Sequence, residues 1–113
     1  MSDAQSLAVD GNIFVSKENG LILEYSQGKR VKEIKPQISP ELNGQVRLFT
    51  NSKMKNLYAL DSKNKRIVSI NKEDYFTIQY VSENFNLLKG FWVTDDEKTM
   101  FLLNYSKIYK IGI

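Results

Sequence analysis

The amino-acid sequence predicts an all-β chain in which one structural unit occurs three times. Three apolar strands centred on an aromatic residue recur at nearly constant spacing, with 44 residues from Phe14 to Tyr58 and 43 from Tyr58 to Phe101. β-Branched and aromatic residues dominate every apolar run, and no window of about eleven residues carries the i, i+3, i+4, i+7 apolar stripe of a helix. A period of this length is typical of four-stranded β-propeller blades.

The predicted architecture is therefore three consecutive antiparallel blades, the last of which lacks its fourth strand. We place the blades near residues 6–38, 45–82 and 88–113, within a single propeller-like domain. A chain of 113 residues fits one ordinary domain, because only chains beyond about 250 residues generally split into several. Two independent domains are not expected.

The strands of each blade follow in order along the chain. First strands are predicted at 7–9, 46–49 and 91–94, and second strands at 13–15, 57–60 and 100–103. Third strands are predicted at 22–25, 67–70 and 108–111, where β-branched and aromatic residues again predominate. Polar turns join the first two strands of each blade, as at Asp10-Gly11-Asn12, because these residues tolerate a positive φ.

A fourth strand is predicted in two blades only, at 31–34 and 75–80. Short segments at 39–42 and 82–85 could each form one helical turn between blades, with Ser as the N-cap. The third blade reaches residue 113 after its third strand, and residues 1–6 are too short and polar to supply a fourth. We therefore expect the fourth strand of the third blade to come from elsewhere.

The second hairpin carries the most specific local pattern. An apolar strand leads into Asp61, Asn64 follows three residues later, and Arg66 with Ile67 opens the next strand. This pattern resembles the NHL-type β-propeller repeat, although that family often has His where Lys65 stands. The first and third units match the motif only in part. The resemblance implies a six-bladed ring, of which this chain would be the C-terminal three-blade portion.

The same motif has a structural explanation that requires no ligand. Asp61 and Asn64 can hold a tight turn through local hydrogen bonds, and Arg66 can pair with Asp61 across the hairpin. The residues to which we assign this structural role are Asp61, Asn64, Arg66 and Ile67.

Sixteen Lys and Arg residues against thirteen Asp and Glu give a net charge of +3, and the excess is concentrated in residues 45–84. Lysines that decorate turns and sheet edges for solubility are the favoured explanation. The alternative is a surface that touches the phosphates of a polyanion. The candidate polyanion contacts are Lys63, Lys65, Arg66 and Lys107.

The composition argues against catalysis. The chain has neither His nor Cys, so it lacks the commonest general base, the commonest metal ligand and every thiolate. The run Asp95-Asp96-Glu97 could suggest a calcium ion, but a solvated hairpin turn is the favoured interpretation. We expect no catalytic residue, no cofactor and no metal, and the chain is predicted not to be an enzyme.

Three blades cannot close a ring, so the outer faces of the first and third need covering. We expect Phe91, Trp92, Phe101 and Tyr109 to form an exposed apolar patch that drives association. The partner is expected to be a second copy, giving a two-fold dimer with six blades, or the remaining blades of a longer parent chain.

The predicted function is a non-catalytic protein-interaction or scaffold module, with RNA or polyanion binding as the alternative. Neither a secretory signal nor an apolar run of about 18 to 20 residues is visible in the chain, which leaves the compartment open.

Overall fold

The computed structural model describes residues 4–17, 20–38, 42, 46–61, 63–81, 88–104 and 107–113. Eleven strands in this part of the chain form three antiparallel sheets, each built from strands in sequence order. No helix long and apolar enough to cross a membrane occurs among these residues.

The first sheet has four strands, and its edges are the first and last of them. The strands are β1 (Ala4–Val9), β2 (Ile13–Lys17), β3 (Ile22–Ser26) and β4 (Lys29–Ile34). Gly20, in the connection between β2 and β3, has a φ of 86°, and its amide donates to the Lys17 carbonyl at 3.0 Å. A Cβ at Gly20 would overlap the carbonyl oxygen of Leu42, so both the φ and the close approach require glycine.

The middle and third sheets repeat this arrangement. The strands of the middle sheet are β5 (Arg47–Phe49), β6 (Asn56–Asp61), β7 (Arg66–Asn71) and β8 (Thr77–Val81). The described strands of the third sheet are β9 (Leu88–Val93), β10 (Thr99–Asn104) and β11 (Lys107–Gly112). The predicted fold class, an all-β chain of three antiparallel propeller blades, is thus confirmed.

The fourth strands begin at other residues than predicted. β4 begins at Lys29 rather than residue 31, because Lys29 and Arg30 already pair with Ser26 and Tyr25. β8 begins at Thr77 rather than residue 75, since Tyr75 has a φ of 62° and its amide donates to the Asn71 carbonyl, which closes a turn. The predicted helical turn at 82–85 lies outside the described residues. Of the one predicted at 39–42, only Leu42 is described, and it is not helical.

Within the described part of the chain, two clusters of buried apolar side chains lie one on each side of the middle sheet. Successive side chains of a strand point to opposite faces. Accordingly, Leu57 and Ala59 of β6 join the cluster shared with the first sheet, whereas Tyr58 and Leu60 join the cluster shared with the third. Each fully buried aliphatic or aromatic side chain contributes about 1.5–3 kcal/mol, so both faces of the middle sheet stabilise the fold.

Each sheet therefore has two distinct faces. We call the face directed toward the next sheet along the chain the forward face, and the opposite one the rear face. By strand register, the forward faces carry Phe14 and Ile22 in the first sheet, Tyr58 and Ile67 in the middle sheet, and Phe101 and Ile108 in the third. The rear faces carry Val9 and Ile13, then Leu57 and Ala59, then Met100 and Leu102.

Candidate functional site

The β6–β7 hairpin brings together three of the four motif residues. Asp61 lies opposite Arg66 in the strand register, and its Oδ2 accepts hydrogen bonds from Arg66 Nε at 2.8 Å and Asn64 Nδ2 at 3.0 Å. Arg66 Nη1 donates to Gln79 Oε1 in β8 at 2.6 Å. Ile67, the fourth residue, is buried in the core on the forward face. The network thus ties three consecutive strands together at one end of the sheet.

The Asp61–Arg66 pair is buried, with both side chains about 1% exposed. Asp61 Oδ1 accepts no hydrogen bond from any described residue. Removing one partner of a buried ion pair leaves the other charge uncompensated, which costs about 3–5 kcal/mol. The Asp61–Arg66 ion pair therefore stabilises the hairpin.

Arg66 cannot be one of the polyanion contacts, because its side chain is buried. Its guanidinium group donates hydrogen bonds to Asp61 and Gln79. Lys63 and Lys65 are exposed in the turn before β7, and Lys107 is exposed at the start of β11 in the third sheet. The structure therefore leaves these three lysines at the surface, in two different sheets.

At the other end of the sheets, the turn between β9 and β10 clamps the third sheet to the middle one. Glu97 Oε1 accepts hydrogen bonds from Asn56 N, Asn56 Nδ2 and the Tyr58 hydroxyl, at 3.0–3.1 Å. Its Oε2 accepts the amide of Lys55 at 3.0 Å. Glu97 has a φ of 58°, a conformation that a non-glycine residue rarely adopts. Four hydrogen bonds from the neighbouring sheet thus converge on one carboxylate.

Burial raises the pKa of the Tyr58 hydroxyl well above the usual value of tyrosine, and its hydrogen bond to Glu97 raises it further. Burial also raises the pKa of Tyr80, on the same face of the middle sheet. Tyr58 is therefore held as a neutral donor, which is a structural role and not that of a proton-transfer group near neutral pH.

The three acidic residues of the β9–β10 turn do not converge on one point. Asp95 binds Asn51 Nδ2 at 2.9 Å and lies 3.5 Å from Lys53 Nζ, whereas Asp96 Oδ1 accepts bonds within its own turn. The Thr94 hydroxyl and then the Lys98 amide lower the pKa of Asp96. Glu97 faces the middle sheet. Across the described residues, no group of three acidic side chains is arranged to hold a metal ion.

Lys72 joins the middle sheet to the first. Its Nζ lies 2.6 Å from Asp10 Oδ2 and donates to the carbonyls of Asn51 at 3.2 Å and Met54 at 3.1 Å. These contacts satisfy all three donors of the ammonium group. Lys72 also lines a cavity of about 340 Å³, together with Met54, Lys55, Asn71 and Glu73. Because the three N–H groups of the Lys72 ammonium are used in these contacts, none is left to bind a ligand in this cavity.

The forward face of the third sheet is uncovered. Phe101 occupies the register position of Tyr58 in the middle sheet, yet it is 37% exposed where Tyr58 is 2% exposed. Ile108 is 75% exposed where Ile67, at the equivalent position, is fully buried. The apolar side chains exposed on this face are Trp92, Phe101, Leu103 and Ile108.

This face holds a shallow apolar cavity of about 260 Å³, whose lining includes Gly90, Trp92, Phe101, Leu103 and Ile108. Gly90, opposite Leu103, adds no side chain to this lining, and the space that a Cβ would occupy there is open. The expected apolar patch of Phe91, Trp92, Phe101 and Tyr109 is thus wrong in part. By register, Phe91 and Tyr109 lie on the rear face, where Phe91 packs against Phe49 with ring centres 5.7 Å apart.

The rear face of the first sheet is also partly uncovered. Ile13 is 41% exposed, whereas Leu57 at the equivalent position of the middle sheet is 1% exposed. Val9, opposite Ile13, is exposed as well, while Val15 and Leu23 on the same face are buried. Among the described residues, the forward face of the third sheet is thus open, whereas the rear face of the first sheet is open at Val9 and Ile13 and buried at Val15 and Leu23.

Comparison with solved structures shows that the chain has a β-propeller fold. It is similar to a streptogramin B lyase (TM-score 0.67, 14% identity, 99% of this chain and 41% of that chain). It is also similar to virginiamycin B lyase from Staphylococcus aureus (TM-score 0.63, 12% identity, 98% and 41%). A third similar structure is KlHsv2 with a Gly-Ser linker in one loop (TM-score 0.63, 11% identity, 96% and 35%).

The chain spans about two fifths of the length of these structures. The propeller-type repeat is thereby confirmed. No protein-family model matches the sequence, and no curated protein matches it either, so the NHL resemblance remains a prediction.

Proposed function

We propose that this chain is a non-catalytic protein-interaction module of the β-propeller class, which docks through the forward face of its third sheet. The observation that carries the proposal is the exposure of Phe101 and Ile108 at positions that the other two sheets bury. Contiguous exposed apolar side chains of this kind mark protein-interaction sites in soluble domains. The apolar cavity of about 260 Å³ on this face offers a space that a partner side chain can fill.

The titratable groups support a non-catalytic role. The sequence has no His and no Cys, and the buried carboxylate of Asp61 is paired with Arg66. Glu97 is committed to the middle sheet by four hydrogen bonds. Two of the similar structures are named lyases. Structural similarity at 12–14% sequence identity shows a shared fold and does not show a shared reaction.

The apolar faces at both ends suggest that further blades complete a ring. A second copy of the chain would bring the total to the six blades implied by the NHL resemblance. The alternative source is the remaining blades of a longer parent chain. In either case, the module acts by binding polypeptide and requires no cofactor.

A site-specific photo-crosslinking experiment tests the docking surface. A benzophenone amino acid replaces Trp92 in one variant and Phe76 in the other, since these side chains are 56% and 57% exposed. We expect discrete protein adducts from position 92 when the purified variant is returned to an extract of its source cells, and few from position 76. Equal yields at the two positions, or no protein adduct at 92, would refute the proposal.

Binding of RNA or another polyanion is the second candidate function. The pair Lys63 and Lys65, both exposed in one turn, is the observation that favours it. Polyanion affinity falls steeply with salt because bound counterions are released. Filter binding of single-stranded RNA at low and physiological salt tests this function, with the variant Lys63→Gln/Lys65→Gln as control. Binding that is absent at low salt, or that this variant retains in full, excludes it.

A further inference from the structure

We infer that the forward face of the third sheet docks on the rear face of the first sheet in a second copy of this chain, so that the copies associate head to tail. This inference rests on the proposed function and names its partner. The contact joins two different faces and is therefore heterologous, in contrast to the self-complementary contact of an isologous dimer.

The packing inside the chain supplies the geometry. The forward face of the first sheet packs on the rear face of the middle sheet, where Phe14 and Ile22 share a core cluster with Leu57 and Ala59. The forward face of the middle sheet packs in the same sense on the rear face of the third. Both contacts between sheets therefore place a forward face on a rear face.

The unmatched halves of this same contact are the forward face of the third sheet and the exposed part of the rear face of the first sheet, at Val9 and Ile13. Phe101 and Ile108 repeat the register positions of Tyr58 and Ile67, which are covered by the rear face of the third sheet. Val9 and Ile13 occupy register positions whose equivalents in the middle and third sheets are buried. Leu57, for example, is the equivalent of Ile13 in the middle sheet, and it is buried. A second copy covers each open face with the same type of surface that covers the equivalent face of another sheet within the chain.

The side chains on the two open faces are of the same types as those that meet in the contacts within the chain. In the first contact the ring of Phe14 shares a cluster with aliphatic side chains such as Leu57. In the second contact Tyr58 shares a cluster with Met100, and Phe49 also packs on Phe91 with ring centres 5.7 Å apart. The third sheet offers Phe101 and Trp92, and the first sheet offers the aliphatic side chains Val9 and Ile13.

A head-to-tail contact leaves one free face at each end, so it either closes into a ring or continues as a filament. Two copies of three blades that close with two-fold symmetry make two identical contacts and a ring of six. We therefore expect the wild-type chain to have twice its 13.1 kDa mass in solution.

Mixing two face variants tests the inference. Ile108→Lys disables the forward face and Val9→Lys disables the rear face, and both positions are exposed in the single chain, so each variant should fold. A lysine buried in an apolar contact is strongly unfavourable. By light scattering, each variant alone should be monomeric, because every head-to-tail contact would include a disabled face. An equimolar mixture should form dimers, since one contact then uses the two intact faces.

Each other outcome overturns the inference. Dimers of Val9→Lys alone would show that forward faces pair with each other, and dimers of Ile108→Lys alone would show a contact that does not use the forward face. A mixture that stays monomeric, or a monomeric wild type, would also exclude it. Phe76, 57% exposed against 53% for Val9 and 75% for Ile108, lies directly before β8 of the middle sheet, away from both faces. Phe76→Lys is therefore the matched control and should dimerise like the wild type.

The substitutions are checked for folding by circular dichroism, and the pair Trp92→Lys and Ile13→Lys repeats the test at independent positions. A monomeric wild type whose position 92 still crosslinks to a different protein would leave the proposed interaction function standing. The head-to-tail inference alone would then fall.

Discussion

The hydroxyl of Tyr58 in the middle sheet donates a hydrogen bond to Oε1 of Glu97 in the third sheet, at 3.0 Å and across 39 residues of sequence. The same carboxylate accepts two main-chain amides, from Lys55 and Asn56. Glu97 therefore fixes the position of the third sheet on the middle one. The two sheets are joined by a polar clamp at one end and by the apolar cluster between them.

We expect Glu97→Ala to lower the free energy of unfolding by roughly 2 to 4 kcal/mol. Hydrogen bonds to a charged group contribute about 1.5–3 kcal/mol each, but the amide donors at this site regain some bonds to water. Urea unfolding measures the change. Glu33→Ala removes an exposed carboxylate that pairs with Arg30 at 3.4 Å and should change stability by less than about 1 kcal/mol. Equal losses in the two variants would contradict the clamp.

The raised pKa of Tyr58 predicts an alkaline loss of stability. Because the folded pKa lies above the unfolded value of about 10, the contribution is complete below pH 10. It is lost as the pH rises from 10 toward the folded value. Ultraviolet absorbance titration of the six tyrosines should show Tyr58 and Tyr80 ionising late, and Tyr58→Phe should remove one of these two late groups. Tyr109→Phe, at an exposed position, should retain both late groups, and an equal number of late-ionising groups in the two variants would contradict the assignment to Tyr58.

The buried pair predicts a strong effect of Asp61→Ala. Arg66 would keep its charge without a carboxylate partner, and we expect a loss of about 3–5 kcal/mol with a lower melting temperature. Adding Arg66→Met should recover much of that loss, because the double variant buries no uncompensated charge. Thermal unfolding of both single variants and the double variant measures this coupling. A stability unchanged by Asp61→Ala would exclude a structural role for the motif.

Trp92 provides an intrinsic reporter of docking, since it is the sole tryptophan, is 56% exposed and lines the cavity of the open forward face, with its ring centre 4.8 Å from that of Phe49. Association should bury the indole ring, so its emission should shift to shorter wavelength as protein concentration rises. Ile108→Lys should abolish the concentration dependence while leaving the dilute spectrum unchanged. An emission that does not vary over the range in which light scattering detects dimers would show that another surface is buried.

The fold was predictable because it depends on periodic patterns. The spacing of Phe14, Tyr58 and Phe101 places the second strand of each blade, and alternation within each strand determines which side chains face inward. The pairing of Asp61 with Arg66 was predictable for a similar reason, since a short hairpin brings the two residues opposite each other.

The contacts between sheets were not predictable to the same degree. Glu97 and Lys72 lie in polar turns that look solvated in sequence, and their partners are distant along the chain, up to 62 residues for Lys72 and Asp10. Phe91 packs inward and Phe101 faces outward, although both are phenylalanine. Residue type could not distinguish them, because the face on which each side chain lies depends on strand register.

The middle sheet has apolar clusters on both of its faces, which has a consequence for folding. Its central hairpin, β6 and β7, has no solvated side on which it could stand alone. In repeat proteins, stability is the sum of weak intrinsic terms and strong nearest-neighbour terms. The three sheets should therefore unfold in a single cooperative transition, and amide hydrogens of β6 and β7 should exchange only through global unfolding. The most protected part of the molecule would then be the part least able to fold by itself.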